Sequence, residues 1–133
     1  MRSRFLLLCV LPLALLLMAF RQAPLVNPPP IVVSPNVNAG DVPKAIKIAL
    51  LRRGWTTTID KPGEIDATLH LREHSADIAI TYDTRAIQIA YVNSTNLKYE
   101  TKKDGERLIH KNYLGWIENL VVDIKANLIQ FGG

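Results

Sequence analysis

Between Trp55 and Asn93 the chain alternates apolar and polar residues in four consecutive short runs, and this period of two constrains the fold more than any other feature. The runs are Trp55 to Asp60, Glu64 to Arg72, Ala76 to Asp83 and Ala86 to Asn93. Successive side chains of a strand point to opposite faces, so Ile65, Ala67, Leu69 and Leu71 share one face of the second run. Ile78, Ile80 and Tyr82 match them in the third, and Ile87, Ile89 and Tyr91 in the fourth. The pattern predicts a four-stranded antiparallel meander. A loop at Glu73-His74-Ser75-Ala76 sets Arg72 opposite Asp77 and Leu71 opposite Ile78, which keeps the apolar face continuous. A two-residue Pro62-Gly63 turn sets Lys61 opposite Glu64 and Ile59 opposite Asp66, mixing the two faces, so a longer loop or a bulge is expected there.

A helix is predicted on either side of the meander. Asp41 is placed to cap the first, whose opening turn tolerates Pro43, and Val42, Ala45, Ile46, Ala49 and Leu50 fall on one stripe. Arg52 and Arg53 suit the negative end of its dipole, and Gly54 supplies the left-handed residue that closes it. After Asn93 a polar stretch leads through a Lys103-Asp104-Gly105 turn to a long C-terminal helix with the stripe Ile109, Tyr113, Trp116, Ile117, Leu120, Ile124 and Leu128. Gly115 interrupts that helix at about 1 kcal/mol relative to alanine. The expected fold is α+β in the order α-β-β-β-β-α, with both helices on one face of the sheet and residues 41–133 as one domain.

Ahead of the domain, Arg2 and Arg4 precede an apolar run from Phe5 to Phe20. As a helix, 16 residues cover about 24 Å of a bilayer core about 30 Å thick. Residues 1–23 therefore read as an export signal, either cut between about residues 19 and 23 or kept as an inner-membrane anchor through residues 5–20. Cys9, the single cysteine, follows Leu6-Leu7-Leu8 and lacks the small neighbour of a lipidation site. Residues 24–40, with Pro28-Pro29-Pro30 and Pro35, read as an extended linker able to hold the domain roughly 50 Å from a membrane. The alternative is that Ile31-Val32-Val33 docks as an edge strand, which flanking prolines suit.

Charge excludes one class of partner. Arg2, Arg4 and Arg21 are three of the 16 basic residues, whereas all 12 acidic residues lie beyond them. A chain cut after this segment keeps 13 basic residues against 12 acidic, a net charge of +1 with no polybasic stretch, which argues against nucleic acid.

Histidine carries the remaining chemistry. His70 and His74 are four apart, but His70 falls on the outward face of a strand and His74 in a turn, so neither a metal nor another cofactor is expected. His110 lies near the edge of the C-terminal stripe, one turn into the last helix, facing the loop from Asn96 to Tyr99. No serine, cysteine or carboxylate stands where it completes a catalytic pair. Asn93-Ser94-Thr95 matches the glycosylation acceptor pattern, which matters only on a eukaryotic route.

Several segments together resemble a family of small exported proteins, often lipoproteins, of Gram-negative bacteria. They include Arg53-Gly54-Trp55, Pro62-Gly63-Glu64-Ile65, Arg72-Glu73-His74-Ser75-Ala76, Ser94-Thr95-Asn96-Leu97-Lys98-Tyr99 and Ile109-His110-Lys111-Asn112-Tyr113, within residues 42 to 128. The resemblance implies export and no particular activity. The chain departs from it in lacking a lipidated cysteine after the apolar run and in carrying Leu114 where relatives often have asparagine.

Two functional expectations follow. The first is a non-enzymatic envelope protein, periplasmic or tethered to the inner membrane, that binds another envelope protein. Its surface would be the outward sheet face around Thr68, His70, Arg72, Ala79, Thr81, Gln88 and Ala90, or else the loop from Asn93 to Tyr99. The second is a sensor or carrier of a small ligand, with a pocket between the C-terminal helix and residues 94–99 involving His110, Asn112, Asn96 and Tyr99.

Overall fold

The alternating runs of the sequence become strands, but the sheet they build is wider than four strands. The structure, a computed structural model, describes residues 21–132; the expected export segment lies outside the described residues except for its last three. In chain order the elements are β1 (Gln22–Pro24), β2 (Ile31–Val32), α1 (Asp41–Arg52), β3 (Thr56–Lys61), β4 (Glu64–Leu71), β5 (His74–Tyr82), β6 (Ala86–Thr95), β7 (Glu100–Thr101), β8 (Arg107–His110) and α2 (Lys111–Gln130). The class is α+β. One antiparallel sheet has the order β2-β6-β5-β4-β3, and a second, smaller one the order β1-β8-β7.

The meander of β3 to β6 is thus extended by β2, which pairs Ile31 with Ile87 and Val32 with Ala86. Two details of register also differ from expectation. The β4–β5 turn is a tight one at Arg72-Glu73, so Leu71 pairs with His74, Thr68 with Asp77 and Ala67 with Ile78. The displacement from the expected pairing is an even number of residues, and a period of two cannot distinguish them because both keep the apolar face intact. At Pro62-Gly63 the turn is tight and Lys61 pairs with Glu64, and the expected irregularity appears between Thr57 and Ile59. That bulge returns Thr57 to its place opposite Ala67.

Residues 24–40 are not a free spacer. Leu25, Ile31, Val33 and Val37 are buried in the core. Leu25 N–H donates to Arg107 O at 2.8 Å and Val33 N–H to Arg85 O at 2.9 Å. The segment is a strap: it starts against the N-terminus of α2, where Lys111 N–H donates to Arg21 O at 2.9 Å, and runs to the β5–β6 loop. Pro28, Pro29 and Pro30 occupy the stretch between β1 and β2, where no ladder hydrogen bond is needed, while Pro24 ends β1 and Pro35 follows β2.

Both helices bury the stripes their sequences carry. In α1 these are Val42, Ala45, Ile46, Ala49 and Leu50, and in α2 Tyr113, Ile117, Leu120, Ile124 and Leu128. They share one core with the inward residues Ile65, Ala67, Leu69, Ile78, Ile80, Ile87 and Ile89. Asn127 is the buried polar exception; its Nδ2 donates to Ala45 O at 3.0 Å and ties the helices together. Asp41 does not cap α1: Gly40 holds that position without a side-chain bond, and Asp41 sits in the first turn, 3.4 Å from Lys44 Nζ. At the other end Gly54 has φ 80°, Gly54 N–H donates to Leu51 O and Trp55 N–H to Leu50 O, the paired bonds of a Schellman ending.

Candidate functional site

Two surfaces collect the residues singled out from the sequence. The first lies at the end of the domain where α2 begins. His110 is the last residue of β8 and the cap of α2, not a residue one turn inside it. Its Nδ1 accepts from Asn112 N–H at 3.0 Å, so the ring is neutral with its proton on Nε2. His110 N–H in turn donates to Leu97 O at 2.8 Å.

From there a series of hydrogen bonds spans the whole end. Gln22 Nε2 donates to Lys98 O at 2.8 Å, Asn96 Nδ2 to Glu73 O at 2.8 Å, and His74 Nδ1 to Asn96 O at 2.8 Å. Asn96 and Lys98 take left-handed backbone, φ 58° and 53°, which folds residues 94–99 back over the end of β8. Arg72, at φ 56°, belongs to the adjoining turn and has left the sheet face on which it was expected. Burial depresses the pKa of His110, and the nearby charges of Lys98, His74 and Arg21 push the same way.

Between α2 and residues 94–99, where a pocket was expected, the structure places the side chain of Leu97. It is buried, 2% exposed. Tyr91 stacks on Tyr99 with ring centroids 5.0 Å apart and meets Tyr113 edge-on at 5.5 Å. Tyr91 also shares a 2.7 Å hydrogen bond with Ser94, and its backbone N–H donates to Asn27 Oδ1 at 3.0 Å. This aromatic cluster was not legible as a unit, since its three tyrosines come from β6, a loop and α2. An apolar groove of 250 Å³ adjoins this cluster, where the strap residues Val26, Asn27 and Pro28 face Tyr113, Leu114 and Ile117. Asn112 stands exposed beside the cap, away from that lining.

The second surface is the outward face of the five-stranded sheet. Cross-strand partners set Glu64 beside Thr81 and Gln88, Asp66 beside Ala79 and Ala90, and Thr68 beside Asp77 and Asn93. Thr81 and Gln88 are exposed, whereas Ala79 and Ala90 are half-buried by their neighbours. Thr68 Oγ1 donates to Asp77 Oδ1 at 2.6 Å. Asp66 Oδ1 is buried without a hydrogen-bond partner among the described residues. Burial raises the Asp66 pKa and the Glu64 carboxylate adds to the shift. His70 is exposed near the end of β4, opposite Ser75, and is not joined to His74.

Among the described residues no group of three or more His, Cys, Asp or Glu is placed to hold a metal ion. Likewise none of their helices is long and apolar enough to cross a membrane. No family model, curated protein or solved structure matches the chain.

Proposed function

We propose that the protein is a non-enzymatic, exported component of the cell envelope, and that the outward face of its five-stranded sheet binds another envelope protein. One observation carries this reading. Ile65, Ala67, Leu69, Ile78, Ile80, Ile87 and Ile89 are buried on the inward face, while the opposite face carries the short uncharged side chains of Thr81, Gln88, Ala79 and Ala90 beside three carboxylates, with no helix over it. Short side chains at Thr81, Gln88, Ala79 and Ala90 let a second protein approach closely, and the carboxylates of Glu64, Asp66 and Asp77 beside them offer a basic partner surface something to meet. The apolar run after Arg2 and Arg4 supports export to the periplasmic side.

Photocrosslinking amino acids at Thr81 and Ala90, introduced one at a time in cells, test this directly. Both should capture the same envelope protein, and Thr81→Lys or Gln88→Lys should abolish capture while moving the melting temperature by no more than about 2 °C, since both side chains are exposed. Normal capture by those variants would refute the assignment. A tag at Gly133 should be digested by protease added to spheroplasts; protection would refute export.

The groove between the strap and α2 favours a second reading, a carrier of a small apolar molecule held between Val26, Pro28 and Leu114. It predicts a rise in melting temperature with such a ligand, which a pure adaptor would not show.

A further inference from the structure

We propose that the end of the domain where the chain enters the fold rests on anionic phospholipid headgroups. This rests on the reading that residues 5–20 stay in the membrane as an anchor. The decisive feature is the missing spacer. Residues 24–40 are strapped onto the core, Gln22 is already in β1, and Arg21 O is bonded to Lys111 N–H at 2.9 Å. Arg21 directly follows Phe20, the last residue of the apolar run. One extended residue spans at most about 3.6 Å, whereas the screening length at physiological salt is about 8 Å. An anchored domain therefore cannot lift Arg21 out of the field of the leaflet, and the surface charges around it decide how the rest of the domain is oriented.

The charges at that end have the matching sign. Arg21, Arg72, Lys98 and Lys111 are gathered there by the hydrogen bonds that link Arg21 to Lys111, Gln22 to Lys98 and Asn96 to Glu73, against the carboxylates of Glu73 and Glu100. Burial is the main cause of the depressed pKa of His110, and Lys98, His74 and Arg21 lie close enough to add to it. Basic residues this close to an anionic surface are each attracted to it, and the attraction fades over a screening length. The Pro62-Gly63 turn and the Asp83–Arg85 loop lie at the opposite ends of the same strands, facing away from the membrane. The outward sheet face then stands side-on to the bilayer, open to a partner.

The test uses the full chain with Cys9→Ser, reconstituted in vesicles of phosphatidylcholine and phosphatidylglycerol that carry a headgroup spin label. A fluorophore is attached at Thr95→Cys or at Thr84→Cys, two exposed positions at opposite ends of the sheet. The label at 95 should be quenched several-fold more than the label at 84. High salt, or the pair Arg72→Asn and Lys98→Asn, should lower it toward the level of the label at 84 while the protein still floats with the vesicles. Asparagine is chosen because both positions have positive φ, which it tolerates; an unchanged melting temperature shows the pair is folded, and the salt arm needs no substitution. Equal quenching at both positions on floating protein would overturn the seating alone. Quenching at 95 that persists in high salt, or in phosphatidylcholine alone, would overturn the anionic headgroup as its cause. Protein that does not float, or that cells yield without residues 1–20, would overturn the anchor and the seating with it.

Discussion

Replacing His110 tests the cap that starts α2 and the protonation state that it requires. The ring accepts Asn112 N–H through Nδ1 at 3.0 Å, with backbone φ −60° and ψ 135° that any residue adopts. His110→Ala therefore removes an acceptor without relieving or adding backbone strain. Loss of a side-chain cap costs about 1 kcal/mol, which for a domain of this size lowers the melting temperature by roughly 4 °C. His110→Asn puts a good capping oxygen at the same place and should keep most of the stability at pH 7.5. The two side chains part company in acid. Burial, followed by the charges of Lys98, His74 and Arg21, holds the folded-state pKa of His110 below its ordinary value. The unfolded chain thus binds the proton first, so the His110 contribution is complete above about pH 6.5 and is lost as the pH falls through the depressed folded value. Asparagine does not titrate. Thermal melts of the wild type, His110→Ala and His110→Asn from pH 7.5 down to 5 should show the wild type falling away from His110→Asn across that window. Parallel curves for those two, or an asparagine variant as unstable as the alanine one at pH 7.5, would refute the neutral-cap assignment.

A chain beginning at Gly40 lacks β1, β2 and four buried side chains, Leu25, Ile31, Val33 and Val37. At about 1.5–3 kcal/mol each, roughly 6–12 kcal/mol of gross burial disappears, comparable to a typical net stability of about 5–15 kcal/mol; it should show no cooperative melt, whereas one beginning at Arg21 should. Gly54→Ala meets only Leu69 Cδ1 at 3.9 Å, so its cost comes from φ 80° alone, about 1–2 kcal/mol by urea denaturation; a neutral result would mean that the end of α1 rearranges. Asp66→Asn should raise the urea midpoint at pH 7 and leave it unchanged near pH 3. The folded-state pKa of Asp66 is raised by burial and by Glu64, so the folded state disfavours its charge only where it is ionised; a midpoint that falls at pH 7 would refute this.

What the sequence determined by itself was local. The stripes of α1 and α2, the alternation of β4 to β6 and the glycine that closes α1 are each set by neighbours a few residues apart, and each appears in the fold. The tertiary structure alone decided which register the strands took, since a period of two is blind to an even displacement at the Arg72-Glu73 turn. It also decided the fate of residues 21–37, because strands of two or three residues such as Ile31–Val32 and Gln22–Pro24 are too short to show a period, and Leu25 and Val37 become core only once β6, β8 and the helices are in place to cover them. The polar end around His110 depends on the same assembly. Its residues come from four separate stretches of the chain, and the left-handed backbone at Arg72 and Lys98 that helps bring them together leaves no mark in residue type, as it would at glycine.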